Sequence, residues 1–282
     1  MEIVTKIAPI ALALIMLGLG LGLTGRDFLR VINNPKDFVI GFFCQLLLLP
    51  IVAYILILIL NLPVEIALGI MIIAAAPGGV TTNVMTKFAN GDVALSISLT
   101  AIISLISIIS VPFIILKSAD LLGVTNISAD ITMTAITLKM ALVVTVPVIL
   151  GMIIRKFADN LISSNLSIVN KITTALFVIV FAAIWIEERE NIFNYLKQAG
   201  FAVLVLNVVM MILAYYIAKF FATGMKQRKC IAIECGLQNG TLAVFVATQM
   251  FNDIAYMIPT AAYALIMYLT GFALIFILRR AN

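Results

Sequence analysis

One carboxylate of this sequence lies where it could do chemistry inside an apolar segment. Glu234 falls within IAIECGLQNGTLAVFVA, whereas the other twelve of the thirteen Asp and Glu residues lie between apolar runs or at their ends. A carboxylate in a membrane span is costly, so it indicates a functional site with a partner. Arg228 and Lys229 precede it by five or six residues, at the expected end of the span. The predicted partner is therefore a bound cation or a proton; a protonated, hydrogen-bonded glutamic acid is the structural alternative.

Oxygen ligands suitable for a hard cation such as Na⁺ occur at helical spacing in two other segments. Ser96 and Thr100 are four residues apart, so one helix face presents both hydroxyls. Small residues for close helix packing explain this pair equally well. Gln45 is the only strongly polar side chain inside its apolar run, which makes it a further candidate ligand.

Two apolar segments are interrupted by residues that free the backbone from helical hydrogen bonds. AAAPGGVTTNVM, at 74–85, and GLQNGT, at 236–241, combine glycine or proline with hydroxyl and amide side chains. Free backbone groups at membrane depth require protein, ions or water beside them. One such break is explained by a helix kink, but two breaks indicate a polar site at mid-membrane. The N-termini of half-helices favour an anion there, and freed carbonyls favour cations.

The composition excludes several functional classes. The 282 residues are 63% hydrophobic and 11% charged, with a mean hydropathy of +1.20, as in a single membrane-embedded unit over 1–282 without a soluble domain. Histidine is absent, which removes imidazole bases, common zinc sites and the Ser-His-Asp triad. With no second buried carboxylate, the chain is predicted not to be an enzyme. Cys44, Cys230 and Cys235 suit buried thiols better than disulfides.

The apolar runs predict an all-α membrane protein with nine transmembrane helices. The first 24 residues have too weak a positive start and too long an apolar run for a secretory signal, and are assigned to the first span. The predicted spans are about 4–24, 38–61, 66–88, 93–116, 131–154, 168–186, 199–222, 228–251 and 255–278.

The distribution of basic residues predicts the orientation in a cell membrane. Loops after odd-numbered spans hold most Lys and Arg residues, including Arg228 and Lys229. This bias places the N-terminus outside and the C-terminus in the cytoplasm. The net charge of +5 therefore reports topology and does not indicate nucleic-acid binding. The opposite side has only Lys6, Lys117, Arg189 and Lys197, beside Glu187, Glu188 and Glu190.

The two breaks lie in the third and eighth spans, one in each half of the chain. Interrupted spans at corresponding positions predict an inverted repeat with a binding site where the breaks meet. The polar stretch 117–130 separates a first repeat of four spans, 1–116, from a second of five, 131–282. The first repeat would then lack its first helix.

Two motifs carry a resemblance to a known family. APGGVTTNVMTKFANGDVALSISLT together with IECGLQNGTLA resembles the bile acid:sodium symporter family, including its bacterial-type sodium-dependent organic anion transporters, over essentially the whole chain. The resemblance implies a core domain, in which two broken helices cross, and a panel domain against which the core moves. It also implies a symporter, expected to be a monomer, that imports an organic anion with Na⁺ by alternating access.

Site residues follow from the resemblance by motif. One sodium site would use Thr82, Asn83, Ser96, Thr100 and Glu234, and the second would use Gln45, Gln238, Glu234 and the backbone carbonyls of Cys235 and Leu237. Cys235 and Leu237 replace the Val and Met that the family often has, which matters little where carbonyls bind. The substrate side would include Gly79, Val80, Asn239 and Gly240. Val80 is apolar where relatives are commonly polar, so an unusual substrate is expected there. The substrate stays open among bile acid-like, pantoate-like and keto acids and other organic anions.

Two related functions remain as alternatives. A proton-coupled organic anion transporter would use Glu234 as the proton carrier. An arsenite-type efflux permease of related fold depends on a cysteine in the first broken helix, and residues 66–88 contain none. A purely structural membrane subunit would explain neither the two polar breaks nor the buried acid.

Overall fold

The chain is almost entirely α-helical. The computed structural model describes residues 2–33, 35–124, 132–187, 189, 192–251 and 253–280, and none of these lies in a strand. Within these ranges, seven helices are long and apolar enough to cross a membrane, and two bent helix pairs raise the number to nine when each counts as one span. The predicted all-α membrane fold is confirmed.

Fourteen α-helices make up the spans in the described part of the chain. Two π-helical turns, Cys44–Leu48 and Ala141–Thr145, join α3 to α4 and α8 to α9, and a 3₁₀ turn, Ile254–Met257, precedes α14. The helices are α1 Glu2–Gly22, α2 Gly25–Asn33, α3 Pro35–Phe43, α4 Leu49–Leu60, α5 Val64–Ala75, α6 Val80–Phe88, α7 Val93–Leu121, α8 Met133–Met140, α9 Val146–Phe157, α10 Asp159–Glu187, α11 Ile192–Phe221, α12 Met225–Gly236, α13 Gly240–Met250 and α14 Ile258–Arg280.

The sixth span starts earlier than the sequence predicted. Helix α10 begins at Asp159, nine residues before position 168. Polar side chains in this first part bond back to the helix, as when Ser164 Oγ donates to Asn160 O (2.8 Å) and Asn165 Nδ2 to Leu161 O (2.8 Å). Because these groups are satisfied locally, the polar stretch continues the helix.

The predicted first loop is the short helix α2, bent by 67° from α1. At its start, Asp27 Oδ2 accepts hydrogen bonds from the backbone N and the hydroxyl of Thr24, at 2.7 and 2.8 Å. Arg30 Nη2 lies 2.7 Å from Oδ2 of Asp92, the N-cap residue of α7. This ion pair thereby fixes helix α2 to the start of α7, in the fourth span.

The helices form two groups. Helix α1 packs against α9 and α10, and glycines bring these backbones close: a Cβ on Gly20 would lie 2.9 Å from Val148 Cα. This group corresponds to the panel domain. In the other group, α11 packs against α12 and α14, and α5 against α4, α7 and α14. An 18-residue window of the Met225–Met250 span is entirely buried, so the second broken span lies at the centre of the core.

Gly151→Ala is expected to destabilise the protein, because α9 meets α1 there with no room for a side chain. A Cβ at this position would lie 2.7 Å from the backbone N of Leu21 and closer still to Leu17 O. Overpacking of this kind costs about 1–3 kcal/mol. Thermal unfolding of the purified protein should show a lower melting temperature. The matched control is Gly22→Ala, whose nearest neighbour would be 3.8 Å away; equal melting temperatures for both variants would contradict this packing.

Candidate functional site

The two breaks touch each other. Helix α5 ends at Ala75 and α6 begins at Val80, with a 68° bend between them. The second break lies between the end of α12 and the start of α13. Across the contact, Asn239 N donates to Pro77 O at 2.7 Å. A backbone hydrogen bond thus holds together the two places where helical bonding stops.

Glu234 lies beside this contact, fully buried near the end of α12. Three hydroxyls surround its carboxylate. Thr82 Oγ1 donates to Oε1 at 2.6 Å, Ser96 Oγ makes a short hydrogen bond to the same oxygen, and Thr100 Oγ1 donates to Oε2 at 3.1 Å. Helices α6 and α7 therefore bring their hydroxyls to one carboxylate of α12, including the predicted i, i+4 pair of α7.

This cluster has more acceptor oxygens than protons. Ser96 Oγ lies within hydrogen-bond distance of Glu234 Oε1 and also 2.8 Å from Asn83 Oδ1. Thr82 Oγ1 lies 2.7 Å from Gly79 O in addition to its contact with Glu234. Each hydroxyl carries a single proton and cannot donate to both acceptors fully. A group of oxygens with too few protons suits a bound cation.

A second polar group lies on the backbone side of Glu234. Gln45 Nε2 is 3.2 Å from Glu234 O, and Gln238 Nε2 is 3.1 Å from Cys235 O. The two glutamines also meet each other, with Gln45 Nε2 3.4 Å from Gln238 Oε1. Gln45 Oε1 is buried without a hydrogen-bond partner, which costs free energy unless something else binds it. Leu237, the C-cap of α12, has an extended backbone.

A π-helical turn positions Gln45. Pro50 follows this turn, Cys44–Leu48, at the start of α4. Proline lacks an N–H and its ring collides with the carbonyl four residues earlier, that of Leu46. A wider turn relieves this conflict, and such turns are frequent at functional sites.

Gly78 lies between the two polar groups. A Cβ on it would be 2.5 Å from Glu234 Oε2 and 3.2 Å from Gln45 Nε2. Its backbone can approach both groups only because the side chain is missing. The sequence identified Gly78 as part of the break, and the structure adds this close approach.

A cleft opens beside the breaks, between the core and the panel. Its core side includes Gly79, Val80 and Asn239, and its panel side includes Thr174 and Phe177. None of the lining residues is charged; the others are Ile15, Thr81, Thr173, Gln238 and Thr241.

Buried polar groups without partners lie beside this cleft at the start of α13. Asn239 Oδ1 caps the helix by accepting from Leu242 N at 3.0 Å, whereas its Nδ2 is buried and unpartnered. Thr241 is another residue that lines the cleft, and its buried hydroxyl has no hydrogen-bond partner either. Helix α6 likewise begins at the cleft, with Val80. Two helix N-termini at one cleft favour an anionic group.

The predicted residues thus separate by position. The five residues predicted for the first sodium site lie in one cluster, and Gln45, Gln238 and Cys235 lie in the second group. Gly79, Val80 and Asn239 line the cleft. Gly240 instead packs against the panel, because a Cβ there would lie 2.6 Å from Cζ of Phe181.

Lys229 lies inside the predicted eighth span, 228–251, and the structure adds that it is buried. Helix α12 begins at Met225, and Lys229 lies within it with 1% of its surface exposed. The sequence could not show this burial, because the neighbouring helices that cover the position are remote in the chain. Two charged residues, Lys229 and Glu234, are therefore buried in one helix.

Sequence reasoning missed the aromatic side of the cleft. Tyr268 OH lies 3.4 Å from Thr81 Oγ1, and its ring packs edge-on against Phe177, with centroids 5.9 Å apart. Thr81 offers a hydroxyl one residue beyond Val80. The adjacent threonines of VTTN could have indicated Thr81, but no local signal pointed to Tyr268.

Comparison with known proteins agrees with this geometry. The family model described as "Sodium Bile acid symporter family" matches residues 9–195. A Bacillus subtilis protein, "Uncharacterized sodium-dependent transporter YocS", is 31% identical over 273 residues, which cover 95% of this chain and 81% of that protein. The chain belongs to the sodium bile acid symporter family. It is accordingly a membrane protein of a family of sodium-dependent transporters.

Other members of the family are more distant. The Arabidopsis thaliana protein "Probable sodium/metabolite cotransporter BASS1, chloroplastic" is 28% identical over 96% of this chain, which spans 66% of that protein's length. The "Ileal sodium/bile acid cotransporter" of Oryctolagus cuniculus is 25% identical over 90% of this chain and 73% of its own. The names of these relatives include both a metabolite and a bile acid cotransporter, so membership in the family leaves the substrate open.

Proposed function

We propose that the protein is a secondary active symporter that imports an organic anion together with Na⁺ by alternating access. The observation that supports it most is the carboxylate of Glu234 in a proton-poor oxygen cluster, in direct contact with the meeting breaks. This cluster adjoins a cleft that suits an anion. Cation and anion would therefore bind next to each other at the interface of core and panel.

Two Na⁺ sites share Glu234 in this proposal. The first uses its carboxylate with the oxygens of Thr82, Asn83, Ser96 and Thr100. The second uses Glu234 again, with the side chains of Gln45 and Gln238 and the backbone carbonyls of Cys235 and Leu237. The unpartnered Gln45 Oε1 supports the second site, because a cation would satisfy it.

Charge balance couples the ions to the substrate. Two Na⁺ and one shared carboxylate leave a local positive charge that a bound anion offsets. Each ligand then raises the affinity of the other by the same factor. One monovalent anion carried with two Na⁺ moves net positive charge inward, so an inside-negative potential should drive uptake.

The cleft indicates how the substrate is held. Its anionic group binds at the N-termini of α6 and α13, near the unpartnered Nδ2 of Asn239. Val80 offers the substrate no polar group, so Thr81 and Tyr268 supply the hydroxyls. The ring of Phe177 offers an apolar face. These groups fit a small organic acid, pantoate-like or a keto acid, as well as part of a bile acid-like molecule.

The movement and the topology belong to the same proposal. Because the cleft has one wall on each helix group, displacement of the core against the panel opens and closes it. The ring of Phe181 against Gly240 is part of this sliding contact. We place the N-terminus outside and the C-terminus in the cytoplasm, assign 1–116 and 131–282 to the two repeats, and expect a monomer.

The substrate can be found by thermal stabilisation. The purified protein is screened with organic acids in Na⁺ buffer and in choline buffer of equal ionic strength. A substrate should raise the melting temperature far more when Na⁺ is present. Equal shifts in both buffers would contradict coupled binding.

Uptake into proteoliposomes then tests transport. We expect uptake of the identified anion to require an inward Na⁺ gradient and to increase several-fold when valinomycin and K⁺ set an inside-negative potential. Uptake unchanged when choline replaces Na⁺ would overturn the proposal. Uptake driven by a pH gradient without Na⁺ would instead identify proton coupling through Glu234.

A further inference from the structure

The carbonyl of Gly236 is held by side chains from two other helices. Asn207 Nδ2 donates to Gly236 O at 2.6 Å, and Tyr263 OH donates to the same oxygen at 3.0 Å. Asn207, from α11, and Tyr263, from α14, are both buried. Asn207 is itself fixed, since Thr270 Oγ1 donates to its Oδ1 at 2.6 Å.

The neighbouring carbonyls of α12 have different partners. Glu234 O and Cys235 O accept from the amides of Gln45 and Gln238. The carbonyls of Glu234, Cys235 and Gly236 are among the last of the helix, which lack the usual helical donors. The end of α12 therefore divides its carbonyls between the glutamine group and the Asn207–Tyr263 pair.

Holding Gly236 O fixes the direction of the next carbonyl. Leu237, between the two, has φ −112° and ψ 118°, an extended conformation. In extended backbone, successive carbonyls point to opposite sides. With Gly236 O turned to Asn207 and Tyr263, Leu237 O must point away from α11 and α14.

We propose that Asn207 is a positioning residue for the second sodium site. Asn207 binds no ion itself, but its hydrogen bond to Gly236 O sets the orientation of Leu237 O as an ion ligand. The inference rests on the proposed function, because it presumes that Leu237 O contributes to that site. Helix α11 comes close enough only because Gly236 lacks a side chain: a Cβ there would lie 2.6 Å from Met211 Sδ.

Asn207→Leu tests this role through the Na⁺ concentration at half-maximal thermal stabilisation of the purified full-length protein. Leucine has a similar size and cannot donate a hydrogen bond. We expect the half-maximal concentration to rise about tenfold, the effect of one misplaced ligand. The ratio of Li⁺ to Na⁺ response should also change. A purely structural role would lower the melting temperature without Na⁺ and leave both quantities unchanged, which would overturn the inference.

Two further variants make the outcome decisive. Tyr263→Phe removes the other donor to Gly236 O and also the contact of the Tyr263 hydroxyl with the side chain of Gln238, so it should raise the half-maximal concentration as well. If Asn207→Leu does not fold, an unchanged value in Tyr263→Phe overturns the inference. Met211→Leu keeps an apolar contact with Gly236 and should leave the value unchanged. A wild-type protein without any Na⁺ response would instead refute the proposed function itself.

Discussion

Glu234→Gln is expected to abolish the Na⁺-dependent stabilisation of the purified protein. Glutamine keeps the size of the side chain and can still bond to Thr82 and Ser96, but it carries no charge to balance a cation. Removing one partner of a buried ion pair costs about 3–5 kcal/mol, which corresponds to roughly 100- to 4000-fold weaker Na⁺ binding. Because both proposed sites share this residue, neither should fill at ordinary Na⁺ concentrations.

The same variant should fold normally in the absence of Na⁺. An uncompensated carboxylate in the core is unfavourable, so its neutral analogue should have an equal or higher melting temperature in choline buffer. The matched control is Glu65→Gln, in the first turn of α5, which should keep the wild-type Na⁺ response. A wild-type response in Glu234→Gln would remove Glu234 from the cation site.

Gly78→Ala is expected to impair both sodium sites at once. The new methyl would lie 2.5 Å from Glu234 Oε2 and 3.2 Å from Gln45 Nε2, so at least one of these side chains must move. Displaced ligands weaken the ion on either side, and we expect at least a tenfold rise in the Na⁺ concentration for half-maximal stabilisation, about 1.4 kcal/mol.

The adjacent glycine provides the control for this prediction. A Cβ on Gly79 would meet its nearest atom, Thr81 Oγ1, at 3.6 Å, an ordinary contact distance. Gly79 has φ −122° and ψ 175°, which any residue adopts. Gly79→Ala should therefore leave the half-maximal Na⁺ concentration near that of the wild type. Equal values for Gly78→Ala and the wild type would show that the tight approach at Gly78 has no role in ion binding.

Much of the central site could be predicted from the sequence because a membrane makes polar groups conspicuous. Glu234, Gln45 and the two breaks stood out against apolar neighbours, and the structure brings them together. Asn207 carried the same signal as Gln45, an amide alone within FAVLVLNVVMMILA. It was missed because Asn207 lies outside the two motifs that carry the resemblance.

Other features depend on contacts between remote parts of the chain. The burial of Lys229 and the contact of Tyr268 with Thr81 arise only when α12 and α14 take their places among the other helices. The length of α10 depends on side chains that bond back to their own helix, an effect that hydropathy does not measure. The glycines that join α1 to α9 become informative only when the partner backbone is known.

Equilibrium binding of radioactive sodium to the purified protein counts the ions that depend on Glu234. We expect saturable binding of two ions per wild-type chain, strengthened by the transported anion. Under the same conditions Glu234→Gln should bind essentially none. Saturable binding of equal stoichiometry and affinity in Glu234→Gln and the wild type would show that Glu234 holds no sodium ion.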